Sequence, residues 1–308
     1  MPYYERQYKR SPLFNQDNSA LLTLVAINLI IFVLLQFARA LYFLRYGNGP
    51  SGDDAFNTGV VDWLAVPAET HKLLSRPWTI ITHMFTHTGL WHIFGNMLWL
   101  WMFGYILQDL TGNKKVIPVF LYGALGGAFA FILAYNIAPG LRPELPGAEA
   151  LGASAGIMAI AVATTFIAPG YRIFPMLAGG IPLWIITSIY VIIDLATLPV
   201  SNHGGHIAHL AGALTGFLYM FFFQRGYDWG AWMNNLWDWF SNLFNPDKPK
   251  KRKLVKQELF YKSNKQPYTR TPNVTEQKVN EILDKISQVG YESLSEEEKE
   301  LLKRASQE

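Results

Sequence analysis

Residues 116–137 run for 22 positions without a charged side chain. Crossing about 30 Å of hydrocarbon takes roughly 20 apolar residues in a helix, because only helices and closed barrels pair all their backbone polar groups away from water. Five further stretches, 20–44, 78–107, 151–168, 173–198 and 203–224, are similarly apolar. The chain is therefore predicted to be an all-α membrane protein with six spans. The charges are partitioned to match: 27 of the 49 Asp, Glu, Lys and Arg residues fall in 226–308, which leaves 22 for the first 225 positions. A soluble domain has about a quarter of its residues charged, so a soluble cytoplasmic enzyme is disfavoured. Cysteine is absent, which excludes disulfides, a thiol nucleophile and thiolate metal sites. The net charge of +3 gives no reason to expect nucleic acid as a partner.

Orientation follows from lysine and arginine in the connections. Arg6, Lys9 and Arg10 precede the first span; Lys114 and Lys115 lie between the second and third, and Arg172 between the fourth and fifth. A basic run, Lys248–Lys253, follows the sixth. Both termini are therefore expected in the cytoplasm, and six spans satisfy that parity. The first apolar stretch is too long for a cleavable signal, and no small-residue cleavage site follows it.

The expected organisation is a cytoplasmic segment 1–19, a six-span body 20–225, an interfacial helix 226–247, a basic linker 248–273 and a short helical tail 274–308. In the interfacial helix Trp229, Trp232, Met233, Leu236, Trp237, Phe240, Leu243 and Phe244 recur at helical spacing. Such a stripe beyond a span suits a helix lying on the cytoplasmic leaflet, and anionic lipid would attract the linker after it. In the tail, Val279, Ile282, Leu283 and Ile286 share one face, Gly290 is a candidate C-cap, and Ser295 with Glu298 fits a capping box. About 35 residues cannot bury an independent core, so the tail must dock on something or stay marginal.

Ionisable groups inside spans are costly and tend to mark function. The second span carries His83, His87, His92 and Asn96. His92 and Asn96, four apart, share a helical face, and His83 and His87, expected on another face, are read as structural. The fourth span opens Gly152-Ala153-Ser154-Ala155-Gly156; the sixth holds His203, His206, His209, Gly212 and Gly216. Asp194, near the outer end of the fifth, is expected to reach water. Amide hydrolysis without cysteine needs a serine and a base to take its proton. It also needs donors already aimed at the oxyanion. Ser154 at a helix start has an unpaired N–H, and His92 and Asn96 are suitable further donors. Gly152 with Gly156, and Gly212 with Gly216, are expected to let the fourth and sixth helices approach closely. Each feature also has an ordinary structural reading, as packing serine or hydrogen-bonded core histidine. The competing class is a transporter or a metal- or proton-binding protein that uses the histidines.

The combination resembles the rhomboid intramembrane serine proteases over residues 20–224. The resemblance lies in His83-Met-Phe-Thr-His87-Thr-Gly-Leu-Trp-His92-Ile-Phe-Gly-Asn96, in Gly152-Ala153-Ser154, and in Ala208-His209-Leu210-Ala211-Gly212 followed by Gly216. It implies a rhomboid-like bundle in a bacterial inner membrane, with Ser154 as nucleophile and His209 as base. His92, Asn96 and the Ser154 N–H would stabilise the oxyanion. It further implies a dyad with no third acid, no metal or cofactor, and single-span membrane proteins as substrates. Two positions depart from the pattern: Ala155 stands where glycine is common, and Gln108 where glutamate is common at the end of the second span.

Overall fold

The computed structural model describes residues 20–174, 176, 179–241 and 276–306. The N-terminal segment 1–19 and the basic linker 248–273 lie outside them, as do Leu243 and Phe244. The chain divides into two units, Met1–Pro246 and Asp247–Glu308.

The first unit is built from helices α1 (Ala20–Tyr46), α2 (Pro50–Gly59), α3 (Thr70–Ser75), α4 (Thr79–Thr82), α5 (Leu90–Thr111), α6 (Asn113–Ile137), α7 (Ser154–Ile167), α8 (Leu183–Thr197), α9 (His203–Phe223) and α10 (Ala231–Ser241). Four of these, α1, α5, α6 and α9, are long and apolar enough to cross a membrane; α7 and α8 are apolar but shorter. Two short antiparallel pairs complete it: β1 (Val66–Pro67) with β2 (Glu149–Ala150), and β3 (Arg172–Ile173) with β4 (Ile181–Pro182).

Three expected spans begin later than predicted. The apolar run 78–107 is not one helix: α4 passes into a 3-10 turn at His83–Phe85, then into extended backbone at Thr86, and α5 starts only at Leu90. His83 and His87 therefore do not share a helical face, whereas His92 and Asn96 do. The fifth stretch folds first as the β3–β4 hairpin, so α8 begins after Pro182. The fourth begins at Ser154, because Gly152 takes φ +113°, which ordinary residues rarely adopt.

Helix α7 is the axis of the bundle. Residues 155–161 are all buried, as expected for a helix that is apolar all round. Its neighbours are α5, α6 and α9, of which α6 and α9 close in through small residues. A Cβ at Gly212 would overlap the Ala155 carbonyl oxygen, and one at Gly216 that of Ala159. The α9 glycines thus face α7 as expected. The α7 side of that seam is Ala155 and Ala159, not glycines. Gly156 instead faces Phe120 of α6, and Gly152 lies before the helix, against His92.

Helix α10 is tied to the ends of α6 and α9. The Trp229 ring lies 5.0 Å from Phe222 and 6.1 Å from Tyr219, and Trp232 Nε1 donates to the Tyr122 hydroxyl at 2.8 Å. Just before α10, Asp228 pairs with Lys115. Burial alone would raise the Asp228 pKa, but the Lys115 hydrogen bond and charge hold it below the usual carboxylate range. Trp232, Leu236 and Trp239 stay exposed.

The second unit contains α11 (Glu276–Val289) and α12 (Glu296–Ala305). The expected capping box is present: Glu298 N–H donates to Ser295 Oγ, and Ser295 N–H donates to the Glu298 carboxylate. Gly290, at φ +85°, follows α11 and returns its N–H to Ile286. Ile282 and Leu294 are buried, but Leu283 is exposed, so the apolar face is narrower than its spacing implied.

Candidate active site

Ser154 is the first residue of α7, and His209 sits two turns into α9. The α7–α9 glycine seam brings these helices close enough for the side chains to meet. His209 Nε2 lies 2.7 Å from Ser154 Oγ. As the first residue of its helix, Ser154 has an N–H with no partner within the helical ladder.

The other ring nitrogen of His209 has a partner that the sequence reading denied it. Nδ1 is 2.9 Å from Asp194 Oδ1, and His206 Nδ1 reaches the same oxygen at 2.7 Å. Asp194 is 2% exposed. Two expectations are overturned: Asp194 does not reach water, and His209 does have a buried carboxylate beside it. The reason is geometric. Helices α8 and α9 are joined by a short connection and run back along each other, so a residue three from the end of α8 meets the start of α9.

His92 and Asn96 project from the first turns of α5 into a cavity of about 480 Å³ that also contains Ser154, His209, Tyr190 and Glu149. A Cβ on Gly152 would lie 2.8 Å from His92 Cε1 and 2.9 Å from His92 Nε2. Glycine is required there for its backbone angle and for its lack of a side chain. His87, read from sequence as merely structural, is fully buried, with its Nε2 2.8 Å from Asn96 Nδ2. The Ala153 N–H also points at that nitrogen, at 3.3 Å. An acceptor facing two N–H groups is unprotonated; it fixes the Asn96 amide and leaves the second amide hydrogen free for the cavity. Only the five-residue spacing of His87 and His92 was visible beforehand, and it points to no shared face.

His83 Nδ1 bonds the Thr79 carbonyl, and the His83 carbonyl accepts from the Gly152 N–H at 2.8 Å. His203 Nδ1 bonds the Leu198 carbonyl at 2.5 Å. Each is thus anchored to the backbone through one ring nitrogen. At the cavity wall Glu149 is held above the usual carboxylate range, first by burial and then by the neighbouring Asp62 carboxylate. The ligand atoms of Asp194, His206 and His209 lie within 4.8 Å of one another, close enough to share a cation. Their hydrogen bonds already satisfy both imidazole nitrogens that face the carboxylate. Gln108, at the departure from the expected glutamate, accepts from the Leu21 N–H at 3.2 Å and ties α5 to the start of α1. Ala155, the other departure, packs its Cβ toward Gly127 of α6.

Fold and site together define an integral membrane protein with a serine–histidine pair inside its helical bundle. Comparison with known proteins agrees on the membrane protein class. Residues 74–226 match the rhomboid domain, and residues 267–308 match a family of unknown function (DUF6576). The chain is 26% identical over 144 residues to RHOMBOID-like protein 12, mitochondrial, of Arabidopsis thaliana, covering 44% of this chain and 43% of that protein. It is 26% identical over 127 residues to Rhomboid protease GlpG of Pectobacterium atrosepticum, covering 41% and 39%. To Rhomboid protease GlpG of Yersinia enterocolitica it is 22% identical over 242 residues, covering 73% and 69%. On these matches the chain belongs to the rhomboid family. Its matches to the first two relatives span about two-fifths of their length.

Proposed function

We propose that this protein is an intramembrane serine endopeptidase that cleaves transmembrane segments of other membrane proteins. The observation that carries the reading is the 2.7 Å approach of His209 Nε2 to Ser154 Oγ, inside a cavity that also holds His92 and Asn96. Ser154 Oγ attacks the peptide carbonyl as its proton passes to His209 Nε2, and His209 returns that proton to the departing amine. Water then attacks the acyl-enzyme with His209 again as base. The oxyanion forms among the His92 ring, the Asn96 amide and the Ser154 N–H, donors that are in place before charge develops. A hydrogen-bonded helical peptide bond is inaccessible to such attack, so substrates carry helix-destabilising residues near the outer face of the membrane; by analogy with the rhomboid family they are single-span proteins.

The body has six spans in this reading. Helix α7, at 14 residues, is ~21 Å long and covers only part of the bilayer. The chain reaches it as non-helical backbone, tolerated at that depth because it lines a wet cavity. Both termini face the cytoplasm of a bacterium, with the cavity opening on the other side of the inner membrane. Exposed Trp232, Leu236 and Trp239 of α10 then meet the cytoplasmic leaflet, and the basic linker meets its lipid headgroups. A transporter or metal carrier is less well supported, since it gives no role to the approach of His209 Nε2 to Ser154 Oγ.

Full-length protein in detergent should label with a fluorophosphonate probe at Ser154 and cleave a single-span substrate; Ser154→Ala should do neither. Cleavage by the Ser154→Ala variant at the wild-type rate would refute the proposal.

A further inference from the structure

We infer that Asp194 is a positioning residue of this reaction centre, fixing the tautomer and orientation of His209, and that His206 holds Asp194 in place. The inference rests on the protease reading above. A carboxylate only accepts hydrogen bonds, so the nitrogen facing it at 2.9 Å must carry the ring proton. That leaves the lone pair on Nε2, where the Ser154 hydroxyl donates. Without the acid, neutral His209 could equally place its proton on Nε2, where it cannot accept from serine. Asp194 thus does for His209 what the buried acid does in soluble Ser-His-Asp enzymes, where an asparagine replacement costs about 10⁴-fold in kcat.

His206 enters because Asp194 is so sparsely held. Its Oδ1 receives both imidazole donors, while Oδ2 is buried with no hydrogen-bond partner among the described residues. A buried carboxylate with two donors on one oxygen depends heavily on each of them. The His206 ring stands at 90° to that of His209, with centroids 6.1 Å apart, so the two rings approach the carboxylate from different directions. Removing His206 leaves Asp194 free to rotate about its χ angles, and His209 with it. The three residues span α8 and α9, so the arrangement also fixes the register of these helices beside the cavity.

Wild type, Ser154→Ala, Asp194→Asn and His206→Leu would be compared as full-length protein in detergent. The readouts are kcat and KM on a single-span substrate, the rate of fluorophosphonate labelling per folded molecule, and melting temperature. Asp194→Asn keeps the size and polarity of the side chain. It is expected to lower kcat by at least about 100-fold and to slow labelling in parallel, with KM changed by less than about twofold. Loss of one charge-assisted donor in His206→Leu should lower kcat about tenfold. A structural tie between α8 and α9 would instead lower the melting temperature and leave the labelling rate of the folded fraction intact. That outcome overturns the inference, as does an Asp194→Asn kcat within about threefold of wild type. In either case the protease reading survives if wild type cleaves and Ser154→Ala does not. If wild type neither labels nor cleaves, the protease reading falls and the inference falls with it.

Discussion

Gly152 tests the oxyanion geometry most sharply, because its substitution presses on one proposed donor without touching the nucleophile or base. Alanine there meets two obstacles. The backbone angle of +113° lies where side-chain-bearing residues are strained, at a cost of about 1–3 kcal/mol. The new methyl would also lie 2.8–2.9 Å from His92 Cε1 and Nε2, several tenths of an ångström inside van der Waals contact. The neighbours leave the loop little freedom to yield, since the Gly152 N–H is bonded to the His83 carbonyl and the Ala153 N–H faces His87 Nε2. The ring of His92 must therefore move. Losing one preorganised donor costs about 10²–10³ in kcat, so Gly152→Ala should fall by on the order of 100-fold while KM changes little. The assay is steady-state cleavage of a single-span substrate in proteoliposomes, run beside His92→Ala. Because both changes act through one ring, the double variant should be little worse than the poorer single variant. Multiplying losses, or a Gly152→Ala kcat near wild type, would show that His92 does not serve the oxyanion from this position.

His209→Ala should abolish both cleavage and fluorophosphonate labelling while the protein stays folded, and a labelling rate near wild type would remove His209 as the base. Asn96→Ala should lower kcat about 100-fold, and His87→Phe, which removes the acceptor that orients Asn96, should reproduce part of that loss; an effect on KM alone in both would indicate substrate binding instead. Gly212→Val and Gly216→Val push a side chain into backbone carbonyls of α7, so each should destabilise by about 1–3 kcal/mol or more and slow labelling as Ser154 and His209 separate; unchanged melting would contradict the seam. Asp228→Asn should lower the melting temperature by about 2–4 °C for a loss of about 1 kcal/mol, a figure that allows for the partial exposure of this pair. The depressed pKa of Asp228 sets the sign of its pH dependence: its stabilisation is fully present above the unfolded value of about 3.9 and fades as pH falls through the lower folded value. Wild type should lose melting temperature in that acid range, and the Asp228→Asn variant should lose less.

The sequence alone was enough to nominate the apolar body, Ser154, His92 and Asn96 through local signals, and His209 over His203 and His206 through the likeness of its motif to the rhomboid family. A long uncharged run demands a helix, and two polar residues four apart must share a face. The glycines of α9 were equally legible as a close-packing surface, though their partners on α7 were not. Small alanines can form the opposite side of such a seam, and the angle of α7 turns Gly156 toward Phe120. What depended on the tertiary structure was how separate segments converge. The break between Thr86 and Gly89 turns His87 inward beneath Asn96 and ends the apparent helical continuity of the second stretch. The late start of α8 and its reversal into α9 bury Asp194 against His206 and His209, fifteen residues away in sequence from the second of these. Periodicity places a side chain on a face of its own helix. Which neighbour that face meets is set by helix starts, turns and close packing along the whole chain, and so the acid beside the candidate base became visible only in the fold.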